Sequence, residues 1–260
     1  MKPFFLVLIL GCLGTGMAAA DGMPAPVVVP PASPAAARTG AGPELHLAGR
    51  WLVFGDAGDS AYAMTDVNAA LGVRNQLMSG LGQAMAPLVA GGLTYGGGAG
   101  YWVTDYFQAG AEAESLRVGS VSGNSAIGLD WNFPAVELGG FVRFGGFAWN
   151  RLLITGGIGV YYIGLVQAAV AFYNNGFGAP DEHYAYSGSA VGVKIMAGAD
   201  YFLSDTLALG LDVGYRVADI QQVLASGEGL DQALVVNDDG SRFSIDYSGV
   251  YLRGGVKLYF

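Results

Sequence analysis

From residue 45 onward, apolar and polar positions alternate with a period of two, the signature of strands with one apolar and one polar face. Near the end of the chain, Val250, Leu252, Gly254, Val256, Leu258 and Phe260 fall on one face. Tyr251, Arg253, Gly255, Lys257 and Tyr259 fall on the other. In 207–217, Leu207, Leu209, Leu211, Val213, Tyr215 and Val217 oppose Ala208, Gly210, Asp212, Gly214 and Arg216. The pattern predicts eight strands, at 45–54, 88–102, 106–118, 131–144, 151–170, 186–203, 207–218 and 244–260. Most reach the roughly nine to eleven residues that a tilted strand needs to cross a bilayer.

The charges sharpen this reading. Glu112 and Glu114, Glu137 and Arg143, Lys194 and Asp200, Asp212 and Arg216, and Arg253 and Lys257 are five pairs, one per strand. Within each pair the spacing is even, so both charges point the same way. The connections alternate as well. Residues 103–105, 145–150 and 204–206 are short turns, whereas 55–87, 119–130, 171–185 and 219–243 are long and rich in Gly, Asn, Asp and Ser. An even strand count with short turns at one end and long loops at the other is the layout of a transmembrane up-and-down antiparallel eight-stranded β-barrel, an all-β fold. Lipid enforces it, because a sheet there must close to pair all its backbone groups.

Composition agrees. Charged residues make up 13% of the chain, Gly numbers 43, and the formal net charge is −9. Mean hydropathy is +0.41, too apolar for a disordered chain. The acidic balance argues against nucleic-acid binding. The one cysteine, Cys12, rules out a disulfide framework or a thiolate zinc site. Residues 1–20 read as a signal peptide: Lys2, the apolar run Phe4–Leu10, and Ala18–Ala20 before the cut. The alternative is acylation of Cys12 after Ile9-Leu10-Gly11, although Leu10 fits such a site poorly. Residues 21–44 carry six of the ten prolines and read as a Pro/Ala-rich periplasmic linker, a tether or a proline-recognition ligand. The barrel domain is then 45–260, in the cell outer membrane, with both termini periplasmic.

The unit Ala199-Asp200-Tyr201-Phe202-Leu203-Ser204-Asp205-Thr206-Leu207-Ala208-Leu209-Gly210-Leu211-Asp212 resembles the strand–turn–strand of small OmpA-like and OmpW-like barrels. Tyr101-Trp102-Val103-Thr104-Asp105-Tyr106-Phe107 repeats it. Phe260, ending an alternating strand, is similar to the signal read by the barrel-assembly machinery. The resemblance implies outer-membrane lipids and lipopolysaccharide as surroundings; the sequence offers no cofactor motif.

A helical membrane protein is the main rival, since 152–172 is uncharged. Its glycines argue against a helix, at about 1 kcal/mol each relative to Ala. Inside a barrel, Arg50, Glu112, Glu114, Glu137, Arg143, Lys194, Asp200, Asp212, Arg216, Arg253 and Lys257 form a lumen charge network. It is either a salt-bridged plug or a narrow channel for ions or small solutes. Gly96, Gly98, Gly100, Gly198, Gly210 and Gly214 leave inward room for Trp102 and Tyr251.

Lipid-modifying chemistry needs a nucleophile beside a base. His46, expected to point inward, and His183 have no such partner at strand spacing. No catalytic, cofactor or metal residues are assigned. Asn237-Asp238-Asp239-Gly240-Ser241 lacks the ligand spacing of a calcium loop and reads as a turn. Val67, Leu71, Leu77, Met78 and Leu81 lie near helical spacing, for a helix capping the barrel mouth or lying on the membrane, unless the segment is a mobile loop. Glu228, Asp231, Asp238 and Asp239 make the last loop acidic, a solvated surface or a holder of divalent ions bridging lipopolysaccharide. Surface partners are unknown from the sequence.

Overall fold

The computed structural model describes residues 45–81, 85–118, 121–122, 128–173, 181–227 and 229–260. The expected signal peptide, Cys12, the proline-rich linker and Glu228 lie outside these.

Eight antiparallel strands form a closed barrel: β1 (Trp51–Ala61), β2 (Gly91–Trp102), β3 (Phe107–Leu116), β4 (Ala135–Trp149), β5 (Leu152–Leu165), β6 (Ser189–Phe202), β7 (Leu207–Val217) and β8 (Gly249–Tyr259). Each pairs with its neighbours in sequence, and β1 closes the ring onto β8 from Leu52↔Tyr259 to Ser60↔Tyr251. No barrel strand is an edge, so the backbone is satisfied without water. The chain is a transmembrane eight-stranded β-barrel. Among the described residues, no helix is long and apolar enough to cross a membrane.

Side-chain alternation holds around the barrel. Ile158, Val193, Ile195, Leu211, Val213, Leu252 and Val256 stand exposed on the outside, while the charged residues of the same strands are buried. Aromatic side chains gather near the short turns, where Trp51, Phe144, Trp149, Tyr201 and Phe260 are exposed; Tyr95, Tyr162 and Tyr215 lie toward the other end. These are the two girdles of a membrane barrel. The outer surface is uneven. Across β8, β1, β2, β3 and β4, the register sets Gly254, Ala57 and Gly55, Gly97 and Ala99, Ala111 and Ala113, and Gly140 next to one another. The opposite flank carries mostly Ile, Val, Leu and Tyr, with Gly156, Ala197 and Ala199 among its small outward residues.

The two most similar short turns share one geometry. The Thr104 hydroxyl accepts from the amides of Tyr106 and Phe107 at 3.2 and 3.0 Å, and the Ser204 hydroxyl accepts from those of Thr206 and Leu207 at 3.3 and 3.1 Å.

β1 departs from expectation. It runs 51–61 rather than 45–54. Gly49, at φ +82, turns the preceding segment into the strand, a conformation open to glycine and costly for other residues. The glycines and aspartates of 55–59 read as loop in the sequence, yet they pair along β1 with β8 and β2; Asp56 and Gly58 take lumen-facing positions, which need not be apolar, while Gly55 and Asp59 lie on the outer face.

The long-loop end is structured. Helix α1 (Thr65–Gly80) follows β1 and covers the barrel mouth with Val67, Leu71 and Met78 buried. Leu77 and Leu81 of the expected apolar face are exposed. Two asparagines at helical spacing clamp the returning chain. Asn68 exchanges two 2.8 Å hydrogen bonds with the backbone of Val89, and Asn75 does the same with Ala86 at 2.7 and 2.8 Å. Segments Val121–Ser122, Gly128–Asn132, Ala168–Tyr173, Glu182–Ser187, Leu224–Gly227 and Leu230–Leu234 form a six-stranded sheet. It rises beyond the barrel on the flank of β4, β5 and β6. A smaller pair, Asp219–Ile220 with Ile245–Asp246, lies beside α1.

Candidate functional site: the occluded lumen

Ten of the eleven residues assigned to the lumen are buried inside the barrel. They form two ion clusters. Toward the loop end, the Lys194 ammonium donates to Glu112 at 2.8 Å and Glu114 at 2.9 Å and pairs with Glu137. Arg216 bridges Glu114 at 2.8 Å and Glu137 at 2.7 Å. Arg253 pairs with Glu114 and lies 3.6 Å from Asp56 and 3.8 Å from Glu112. Toward the turn end, Arg143 donates to Asp212 at 2.7 Å, and Lys257 lies 2.6 Å from Asp200 and 3.2 Å from Asp212. The Tyr259 hydroxyl donates to Asp200 at 2.7 Å.

Aromatic rings fill the remaining space. Lys194 Nζ lies 4.2 Å from the Tyr161 ring centroid, and the Arg253 guanidinium 4.7 Å from that of Tyr251. Glycines admit these rings. A Cβ at Gly159 would collide with Tyr161, and one at Gly214 with Tyr251. Trp102 instead packs at the turn end, in a different layer from Tyr251.

Arg50 is the exception. It precedes β1, so strand parity does not govern it. Its guanidinium reaches the carbonyls of Asp205 at 2.6 Å and Tyr259 at 3.2 Å, at the turn-end rim rather than in the network. His46 does not point inward either; it is exposed, 3.6 Å from Asp105. Asp56 belongs to the cluster, although the sequence pattern does not single it out. Its signal is parity, four residues on from inward Leu52 and two from Phe54, hidden by the loop-like composition around it.

Both mouths are closed. At the turn end, Leu47 is fully buried with Leu52, Trp102, Leu153, Phe202 and Tyr259. The segment carrying it is pinned by Asp105, whose carboxylate accepts from the amides of Leu47 at 2.7 Å and Ala48 at 2.9 Å. These amides hold the Asp105 carboxyl below its ordinary range. At the loop end, Met64, Val67 and Leu71 pack on Leu116, Trp131, Phe133, Ile163 and Tyr247. The Tyr247 hydroxyl donates to the Phe133 carbonyl at 2.5 Å, and burial pushes the phenol up, keeping it a donor.

Glu112, Glu114 and Glu137 converge closely enough to suggest a metal. The Lys194 ammonium stands among them and, with Arg216 and Arg253, supplies the counter-charge. Chemically this is an ion-paired core. Removing one member leaves charge stranded in low dielectric, at a cost of several kcal/mol.

The fold and lumen define a small outer-membrane-type β-barrel with an occluded interior. No protein-family model matches the chain, and no curated protein sequence matches it. Among solved structures it is similar to the outer membrane protein OprG from Pseudomonas aeruginosa, at 17% identity over 84% of this chain and 98% of that one, with a TM-score of 0.51. It is also similar to a major outer membrane protein from Thermus thermophilus, at 12% identity over 81% and 99%, with a TM-score of 0.50. At such identities the likeness concerns the fold.

Proposed function

We propose that this protein is an outer-membrane barrel whose lumen is a rigid core and whose working surface is the built-up loop end. In this reading the loop end faces the exterior, and the short turns and both termini lie in the periplasm. Lipopolysaccharide and phospholipid surround the apolar belt. Phe260, which is exposed and whose backbone pairs with Trp51, carries the signal read by the assembly machinery.

One observation carries the reading: three closures stand in series along the axis. They are the Leu47–Trp102 layer, the ion clusters and the apolar cap under α1. A solute path would have to open all three. A structural or surface-interaction role therefore fits better than a channel.

The test is planar-bilayer recording of the refolded protein. A correctly folded barrel is expected to be silent. Discrete openings that change when Glu137 or Arg143 is neutralised would overturn the rigid core in favour of a narrow channel.

A further inference from the structure

Between α1, the six-stranded sheet and the 235–243 segment lies a cleft of about 670 Å³. That volume suits a small molecule. Five aromatic side chains line it: Trp131, Phe133, Phe172, Tyr186 and Phe243. Three of them form a continuous wall, with Trp131 and Phe133 ring centroids 5.2 Å apart and Phe133 and Tyr186 5.5 Å apart. The lining also carries three carboxylates, Asp66, Asp238 and Asp239, against one guanidinium, Arg74.

Two of the carboxylates are held by backbone amides. Asp66 accepts from the Ser244 amide at 2.8 Å, and Asp239 from the Ser241 amide at 2.8 Å. Ser241 also holds the Asp239 carboxyl below its ordinary range, so it is charged at neutral pH. Asp238 is exposed beside it. Aromatic faces attract cations through the ring quadrupole, and a nearby carboxylate adds to the same preference. Apolar walls reward hydrocarbon substituents.

We propose that this cleft binds a single organic cation bearing apolar or aromatic substituents. The proposal deepens the reading of the loop end as the working surface. It fails separately from that reading, because a conducting lumen appears in bilayer recordings and an unoccupied cleft appears in a titration.

The experiment uses the full barrel in zwitterionic lipid nanodiscs, with empty nanodiscs subtracted. Two probes of the same shape and opposite charge, tetraphenylphosphonium and tetraphenylborate, are titrated calorimetrically. Tetraphenylphosphonium is expected to bind at one per protein. Ala70→Trp, which fills the cleft from α1, should abolish saturable binding. The double change Asp238→Asn and Asp239→Asn, on an exposed turn, should weaken it several-fold. Tetraphenylborate should show no saturable binding.

Four results overturn the proposal: no saturable binding of tetraphenylphosphonium, equal binding of both ions, an Ala70→Trp protein that binds as the parent does, or a double variant of unchanged affinity. Should Ala70→Trp fail to show the heat-dependent gel shift of a folded barrel, the double variant and the charge-reversed probe still decide the matter.

Discussion

At the scale of single residues, the lumen obeys charge balance as much as shape. Lys194 touches three carboxylates, so Lys194→Met strands negative charge that Arg216 and Arg253 only partly offset. The expected cost is about 3–5 kcal/mol, read by urea unfolding of the barrel in lipid vesicles. Adding Glu137→Gln should recover part of that loss, the coupling of neighbours in one network. Asp105 gives a pH signature. Its folded-state carboxyl lies below the unfolded value of about 3.9, so its grip on Leu47 and Ala48 is complete above that value. The grip is lost as pH falls through the depressed folded value. Amide exchange at Leu47 and Ala48, corrected for intrinsic rates, should show protection persisting below pH 4 and then vanishing; Asp105→Ala should remove it at every pH. Ten of the lumen charges were legible because parity along a strand is strict. Arg50 lies beyond the reach of parity, which stops where Gly49 bends the chain, and Asp56 is hidden because the glycines and aspartates around it read as loop.

At the scale of elements, the helix over the mouth was legible from Val67, Leu71 and Met78, but its attachment was not. The Asn68 and Asn75 clamps depend on where 86–89 returns in space, which no local pattern encodes. Asn75→Ala should raise hydrogen exchange across the second half of α1, at unchanged exchange in β5 and β6; equal rates in α1 would show the clamp to be incidental. Much of the six-stranded sheet falls in segments whose pattern predicts loops, apart from 131–132, 168–170 and 186–187 at the ends of predicted strands, and the reason is physical. Beyond the bilayer a strand's outer face need not be apolar, so segments such as Glu182–Ser187 lose the two-sided pattern that marks the barrel strands.

At the scale of the whole molecule, the closed ring and its inverted polarity were written along the chain, since apolar-out and charged-in alternation has one common solution in lipid. Orientation in the membrane follows from the proposed function and is open to test. With Cys12 replaced by Ser, a single cysteine at Asp239 should label in intact cells with a membrane-impermeant maleimide. One at Ser204 should label only after the envelope is breached; the reverse pattern would invert the assignment.

The small-residue flank of the outer surface gives the barrel a sidedness unrelated to its axis. Where Gly55, Ala57, Gly97, Ala99, Ala111, Ala113 and Gly140 face outward, acyl chains reach nearly to the backbone; on the far side Ile, Val and Leu hold them away over most of the surface. The annulus of lipid is thus closer-fitting on one side than the other. The rising sheet stands above β4, β5 and β6, partly beyond that flank, so the barrel carries a compass bearing in the plane of the membrane. Any neighbour that differs in its affinity for smooth and rough walls will read it.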